Sequence, residues 1–432
     1  MATHNNHPGH PNHLGHPNNL GHPGRPHTDI RITMHAGQPP LPTVKTGLDV
    51  LVSEKFARLK GLRVGLLAGP ASIDHRIRHV LPLMLAHGVN VVRLFGAEHG
   101  FWGEAQYMES VSDATDPSSG LPVISLYGQS VESLTLNPKH LVGLDVLVCD
   151  LQDVGSRYYT FAYTIAFAMR SCAAAGVRCM VLDRPNPIGG VHTEGGDVLP
   201  DFRSFVGEYA LQTRHGLTLG ELAHFFHGVD GHDCEPEVVA VQGYKRAMHF
   251  SDTGLPWVLP SPNMATPDTA LVYPGACLFE GTNLSEGRGT TRPFELVGAP
   301  YIDDPFRFAE TLETLALPGV EFRACYFQPT WDKHAKKVCA GVQMHVTNRE
   351  HFLPLRTGVA LIVCAKRYAG FDWRREPYEF VSSRLAIDLL FGSDEPRKLL
   401  ERGAGVDDVM ATFSEGAQRF APLRAGVLNA AY

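Results

Sequence analysis

The chain has 432 residues, 44% of them hydrophobic and 19% charged, enough to fill a sizeable core in two or three domains of ordinary size. Its formal net charge of −7 leaves no basic field for nucleic acid or anionic lipid. No apolar run approaches the ~20 residues that cross a bilayer, so neither nucleic acid nor membrane is an expected partner.

Residues 1–43 repeat a His-Pro-Gly-Asn theme with almost nothing to bury. Such a stretch cannot offset its ordering entropy and is expected to be a disordered tail. Its histidines follow no fixed ligand spacing. The segment has no apolar core of the secretory kind, so a cytoplasmic location is the default expectation.

Regular patterning begins at Thr46. GLRVGLLAGP reads as a buried parallel strand and its exit loop, and IRHVLPLMLAHG as a helix closed by a glycine. VNVVRLFG and LDVLVCD predict two further strands. TFAYTIAFAMRSCAAAG predicts a helix and VRCMVL the next strand. This alternation argues for a Rossmann-like α/β domain, a parallel sheet covered on both faces, over residues 44–258. Residues 259–432 read as a smaller C-terminal α/β domain contributing to the pocket. Its opening, TALVYPGACLFEGTNLSEGRGTTRPFELVGAP, shows little helical period and is expected to run over the surface of the first domain. KVCAGVQMHVTN then reads as strand and HFLPLRTGVALIVCAKRYAG as helix. The eight cysteines form no CxxC pair and sit in apolar runs, as buried free thiols do.

Ligands of open α/β sheets bind beyond the C-terminal ends of the strands, where this chain places AEHG, DLQD and DRPNP. In AEHGFWG, Glu98 is flanked by Phe101 and Trp102, and partial burial there would raise its pKa toward that of a general acid. His99 reads as its structural partner. DLQDVGSRYYTFAYT packs Asp153, Arg157, Tyr158 and Tyr159 into one loop, suiting a polyhydroxylated ligand and a carboxylate, or equally a helix cap built on Asp153 or Ser156. In DRPNPIGG, Asn186 suits a ligand amide or hydroxyl, whereas Asp183 reads as a pin for the loop through Arg184 or backbone. FEGTNLSEGRGTTRPFE crowds Glu280, Asn283, Glu286, Arg288 and Arg292 into a glycine-rich loop. Its arginines suit an anionic group, or an ion-pair network with Glu286 and Glu295. GxGxxG is missing, and so are HExxH and CxxC, which leaves nucleotide and metal sites unsupported.

With AEHGFWG, DLQDVGSRYYTF, DRPNPIGG, LPSPNMATPDTALVYPG and LFEGTNLSEGRGTTRPFELVGAPY in this order, the chain resembles the exo-acting β-N-acetylmuramidases of glycoside hydrolase family 171, formerly a domain of unknown function (DUF1343). The likeness runs from about Gly47 to the C-terminus and leaves out the histidine-rich tail. It implies a Rossmann-like domain joined to a smaller one, with the pocket between them. It also implies release of N-acetylmuramic acid from the non-reducing end of small peptidoglycan fragments, without metal or nucleotide. The family's glutamate of the EHG motif falls on Glu98. Ala97 stands where serine is expected.

Glycosidases usually pair two carboxyl groups. The candidates for a partner to Glu98 are Glu286, Asp153 and Asp183, in that order. Tyr158 as nucleophile, or participation of the substrate acetamido group, would remove the need for one. The expected substrate-binding residues are His99, Arg157, Tyr158, Tyr159, Asn186, Asn283, Arg288 and Arg292. A sugar-binding protein that has lost hydrolysis is the alternative reading.

Overall fold

A computed structural model describes residues 44–103, 105, 113–128 and 131–432. The histidine-rich stretch 1–43 lies outside the described residues.

Seven strands form the main sheet: β1 (Arg63–Ala68), β2 (Asn90–Gly96), β3 (Ala114–Thr115), β4 (Pro122–Ser125), β5 (Val146–Asp150), β6 (Arg178–Leu182) and β7 (Glu237–Val239). They are ordered β3-β4-β2-β1-β5-β6-β7, and all neighbours are parallel except the antiparallel edge pair β3–β4. Alternate side chains of β5 show why the sequence reads as an unbroken apolar run. Val146 and Val148 pack into one core, with helices α1 (Gly47–Ser53) and α2 (Val80–Ala86). Leu147 and Cys149 pack into the opposite core, with α3 (Phe161–Ala175) and α4 (Leu219–Asp230). Both faces are covered, as a parallel sheet requires.

The core on the α3 face continues through Phe294, Val342 and Leu361 into a smaller α/β part. There an antiparallel sheet runs in the order β8-β10-β9, from β8 (Leu296–Ala299), β9 (Val320–Phe327) and β10 (Cys339–Val346). Around it pack α5 (Pro267–Ala276), α6 (Pro305–Glu313) and α7 (Pro354–Ala365), followed by α8 (Ala386–Phe391) and further short helices.

The segment that opens the smaller part differs from its expected course. TALVYPGACLFEG does not run over a surface: α5 and the 3₁₀ turn Cys277–Gly281 are buried helix. A helix apolar all round carries no 3.6-residue stripe, and Pro274 disguises it further. Gly275 explains how deep it sits, because a Cβ there would collide with the backbone of Pro354 and Gly358 on α7. All eight cysteines are free and buried. Among the described residues no helix is long and apolar enough to cross a membrane.

Candidate active site

The loop after β2 turns sharply. A side chain at Gly96 would strike the backbone of Phe101, and His99 adopts a left-handed φ of 73°. This turn buries Glu98, which is 8% exposed, against the start of α3. Thr160, at the N-cap of that helix, makes no capping bond with its side chain. Its hydroxyl instead donates to Glu98 Oε2 at 2.6 Å. A helix N-terminus favours a negative charge beside it. His99 Nε2 stands 3.9 Å from Glu98 Oε1, while its Nδ1 meets the Ala105 carbonyl at 2.9 Å.

Glu98 lines a cavity of about 510 Å3, mouth included. His99, Tyr158, Tyr159 and Thr160 line it from the sheet side, and Ser261, Asn263 and Met264 from the turn before α5. The smaller part contributes Tyr273, Glu280, Arg288, Phe294, Tyr378 and Glu379. Burial holds the phenols of Tyr158 and Tyr159 protonated by pushing them up, which makes either a poor nucleophile.

Arg288 organises the acids of the far wall. Its Nη2 donates to Glu280 Oε1 at 2.5 Å and its Nε to Glu286 Oε1 at 3.2 Å, with the guanidinium over the Phe294 ring. Tyr378 Oη donates to the second oxygen of Glu280 at 2.7 Å. Lys333 Nζ donates to Glu286 Oε2 at 2.8 Å. Burial raises the Glu286 carboxyl, but the charges of Lys333 and Arg288 outweigh it and hold the group below its ordinary range.

Glu379 stands at the tip of a two-residue hairpin. Tyr378 and Val381 exchange backbone bonds of 3.0 and 2.9 Å, and φ is 45° at Glu379 and 66° at Phe380. Turns of this kind favour Asn-Gly, and side-chain-bearing residues there cost about 1 kcal/mol or more each. Tyr127 Oη lies 3.4 Å from Glu379 Oε2. Burial raises the Glu379 carboxyl well above its ordinary range, and the neighbouring charges of Glu98 and Glu280 raise it further.

Of the residues singled out from sequence, the cavity brings together Glu98, His99, Tyr158, Tyr159, Glu280 and Arg288. Arg157 is buried away from it, its guanidinium donating to the carbonyls of Gly196, Leu211 and Leu390. Asn186 donates to Leu217 O and accepts from Ile188 N. Asn283 donates to Gly370 O and accepts from Tyr301, lining a separate cleft. Arg292 reaches Glu295, at 3.3 Å, rather than the cavity.

Asp153 accepts from Gly155 N and lies 3.5 Å from His215 Nε2. Asp183 accepts from Arg184 N, Gly220 N, Thr218 and Tyr432. Neither lines the cavity, and Glu286 touches it only through Arg288. Sequence reasoning named Glu280 among the polar groups of its loop but gave it no role of its own. It missed Glu379 entirely, because nothing in REPYEFVSS marks that carboxyl as buried.

Among the described residues, Asp49, Asp74 and His75 group closely enough to hold a metal ion. Their ligand atoms are already engaged: Asp49 by Thr46 and His75, Asp74 by Arg78 and backbone N–H groups. They stand apart from the cavity of Glu98.

A cavity at the C-terminal rim of a parallel sheet, walled by three carboxyl groups, aromatic rings and one arginine, holds the kinds of group that glycosidases use. The chain matches the family model "Exo-beta-N-acetylmuramidase NamZ, N-terminal" over residues 64–268 and its C-terminal counterpart over 271–429. It belongs to the exo-β-N-acetylmuramidase family. It is 42% identical over 384 residues to the peptidoglycan beta-N-acetylmuramidase NamZ of Bacillus subtilis, covering 89% of this chain and 90% of that protein. Two crystal structures of DUF1343 family proteins from Bacteroides fragilis share the fold. One superposes with a TM-score of 0.82 at 31% identity, covering 90% of this chain and 99% of that one. The other gives 0.69 at 27%, covering 89% and 98%.

Proposed function

We propose that this chain is an exo-acting glycosidase that releases terminal N-acetylmuramic acid from the non-reducing end of peptidoglycan fragments. The observation that carries the reading is the enclosure of Glu98 with two further carboxyl groups and Arg288 in one cavity. Glu98 is the catalytic carboxyl at the scissile bond, and a second carboxyl beside it is what most glycoside hydrolysis uses. Arg288 offers a guanidinium to the lactyl carboxylate that distinguishes muramic acid from glucosamine. Tyr158, Tyr159 and Tyr273 present ring surface to the sugar, and His99 holds the turn that delivers Glu98. The 42% identity to a peptidoglycan β-N-acetylmuramidase over most of both chains supports this choice of substrate.

Product analysis on a defined muramic acid–glucosamine disaccharide tests it. The expected products are free N-acetylmuramic acid and the intact glucosamine unit. Binding of the disaccharide with no release would instead identify a sugar-binding protein on the same fold.

A further inference from the structure

We infer that Glu379 is the catalytic acid of this cavity, the carboxyl that hands a proton to the departing glycosidic oxygen while Glu98 serves as its ionised partner. This deepens the glycosidase reading and rests on it.

Three carboxyl groups line one cavity, and their donor sets differ. Glu280 accepts from Arg288 on one oxygen and from Tyr378 on the other, the arrangement of a carboxylate fixed in place. Glu98 accepts a short bond from Thr160 at the head of a 15-residue helix. Glu379 has the long 3.4 Å contact from Tyr127. It is 4% exposed and faces both other acids. A buried carboxyl with weak donor support beside two anions is the one that keeps a proton. The groups facing it come from four elements: Glu98 after β2, Tyr127 after β4, Glu280 after α5, and Arg288 in the glycine-rich loop. Tyr127 and Arg288 favour its ionised form, and burial together with the two acids outweighs them.

The backbone adds an independent argument. The hairpin Tyr378–Val381 is tied down at one shoulder by Tyr378 to Glu280 and at its tip by Phe380 against the Tyr127 ring. It holds Glu379 and Phe380 at φ of 45° and 66°, where glycine would sit without strain. Strain of this kind persists where surrounding structure imposes it, often at functional sites. Here it aims one carboxyl into the cavity.

In the reaction, the bond between C1 and the glycosidic oxygen breaks and its electron pair stays on that oxygen. The oxygen takes the Glu379 proton and leaves as a hydroxyl. Water then bonds to C1, and the proton it sheds returns to the Glu98–Glu379 pair.

The test is Glu379→Gln on two substrates. On the natural disaccharide kcat should fall about 10²-fold with KM little changed. On an aryl muramide whose leaving group departs without protonation, the loss should be less than about tenfold, and the alkaline limb of the pH–rate profile should disappear. Equal losses on both substrates, or a near wild-type rate, would overturn the assignment. Infrared difference spectra read the proton without any turnover. At neutral pH a protonated-carboxyl band should be present in the wild type and missing in Glu379→Gln. In Glu98→Gln, which leaves the hairpin intact, that band should titrate at lower pH than in the wild type, because a neighbouring anion is gone. An unshifted band in Glu98→Gln would sink the pairing even if Glu379→Gln failed to fold. An enzyme inactive on every muramide while its bands behave as described would leave the proton on Glu379 and overturn the substrate instead.

Discussion

Arg157 and Arg288 look alike in the sequence, since each sits in a loop dense with hydrogen-bonding groups beside aromatic residues. In the fold they do opposite work. Arg157 is 1% exposed and donates to three backbone carbonyls, one from each of three distant segments, tying α8 to the sheet domain. Arg288 is nearly as buried, at 6% exposed, yet its neighbours are carboxylates and it lines the cavity. What separates scaffold from site is the partner. A guanidinium among carbonyls has both its Nη groups engaged by the chain itself. One among acids carries its charge to the wall of the cavity.

The sharpest way to break this comparison is Arg157→Ala. Three buried carbonyls lose their donors together, which should cost about 3–6 kcal/mol. Urea unfolding should show the loss, while KM of the protein that remains folded stays near wild type. A large rise in KM with unchanged stability would return Arg157 to the ligand. Next in size is Glu98→Gln, expected to lower kcat 10²-fold or more with the fold intact. Near wild-type turnover would remove Glu98 from the chemistry. Arg288→Ala should raise KM for a muramic acid substrate about tenfold, which is about 1.4 kcal/mol, and change it less for the glucosamine analogue. An unchanged preference between the two sugars would count against lactyl recognition.

The same contrast explains what was legible in the sequence. Both sheet faces and the rim loops follow from apolar runs and the polar residues that end them, so Glu98 stood out at the end of β2. Elements without a period were not legible. The all-round apolar α5 reads as a loop, and β3, β4 and β7 are too short to announce themselves. Partnership is harder still. Whether Asn186 meets a sugar or Leu217 O depends on contacts far apart in the chain. Glu379 lies far beyond Glu98 along the chain, on a hairpin whose sequence resembles any exposed turn. Only the fold brings the two acids to one cavity.

The smallest effect concerns an acid on the scaffold side, and it sharpens the comparison through pH. Burial raises the Asp183 carboxyl from 3.8 to about 6, against the donors Tyr432, Gly220 N and Thr218. Because its folded pKa lies above the unfolded one, the fold binds the proton more tightly than the unfolded chain. Its contribution to stability is therefore greatest at low pH and is lost as pH rises from about 4 through 6. Tyr432 Oη donates to Asp183 Oδ2 at 2.6 Å and accepts from Val241 N at 2.9 Å, pinning the chain's last residue to the sheet. Tyr432→Phe removes a donor that favours the ionised form, so the folded pKa rises further. The variant should match the wild type more closely near pH 4.5, where Asp183 is protonated in both. It should fall about 1 kcal/mol behind above pH 7, where the carboxylate has lost a donor. Parallel Tm–pH curves for the two proteins would show that Tyr432 acts by packing alone, and that this acid is indifferent to its donors.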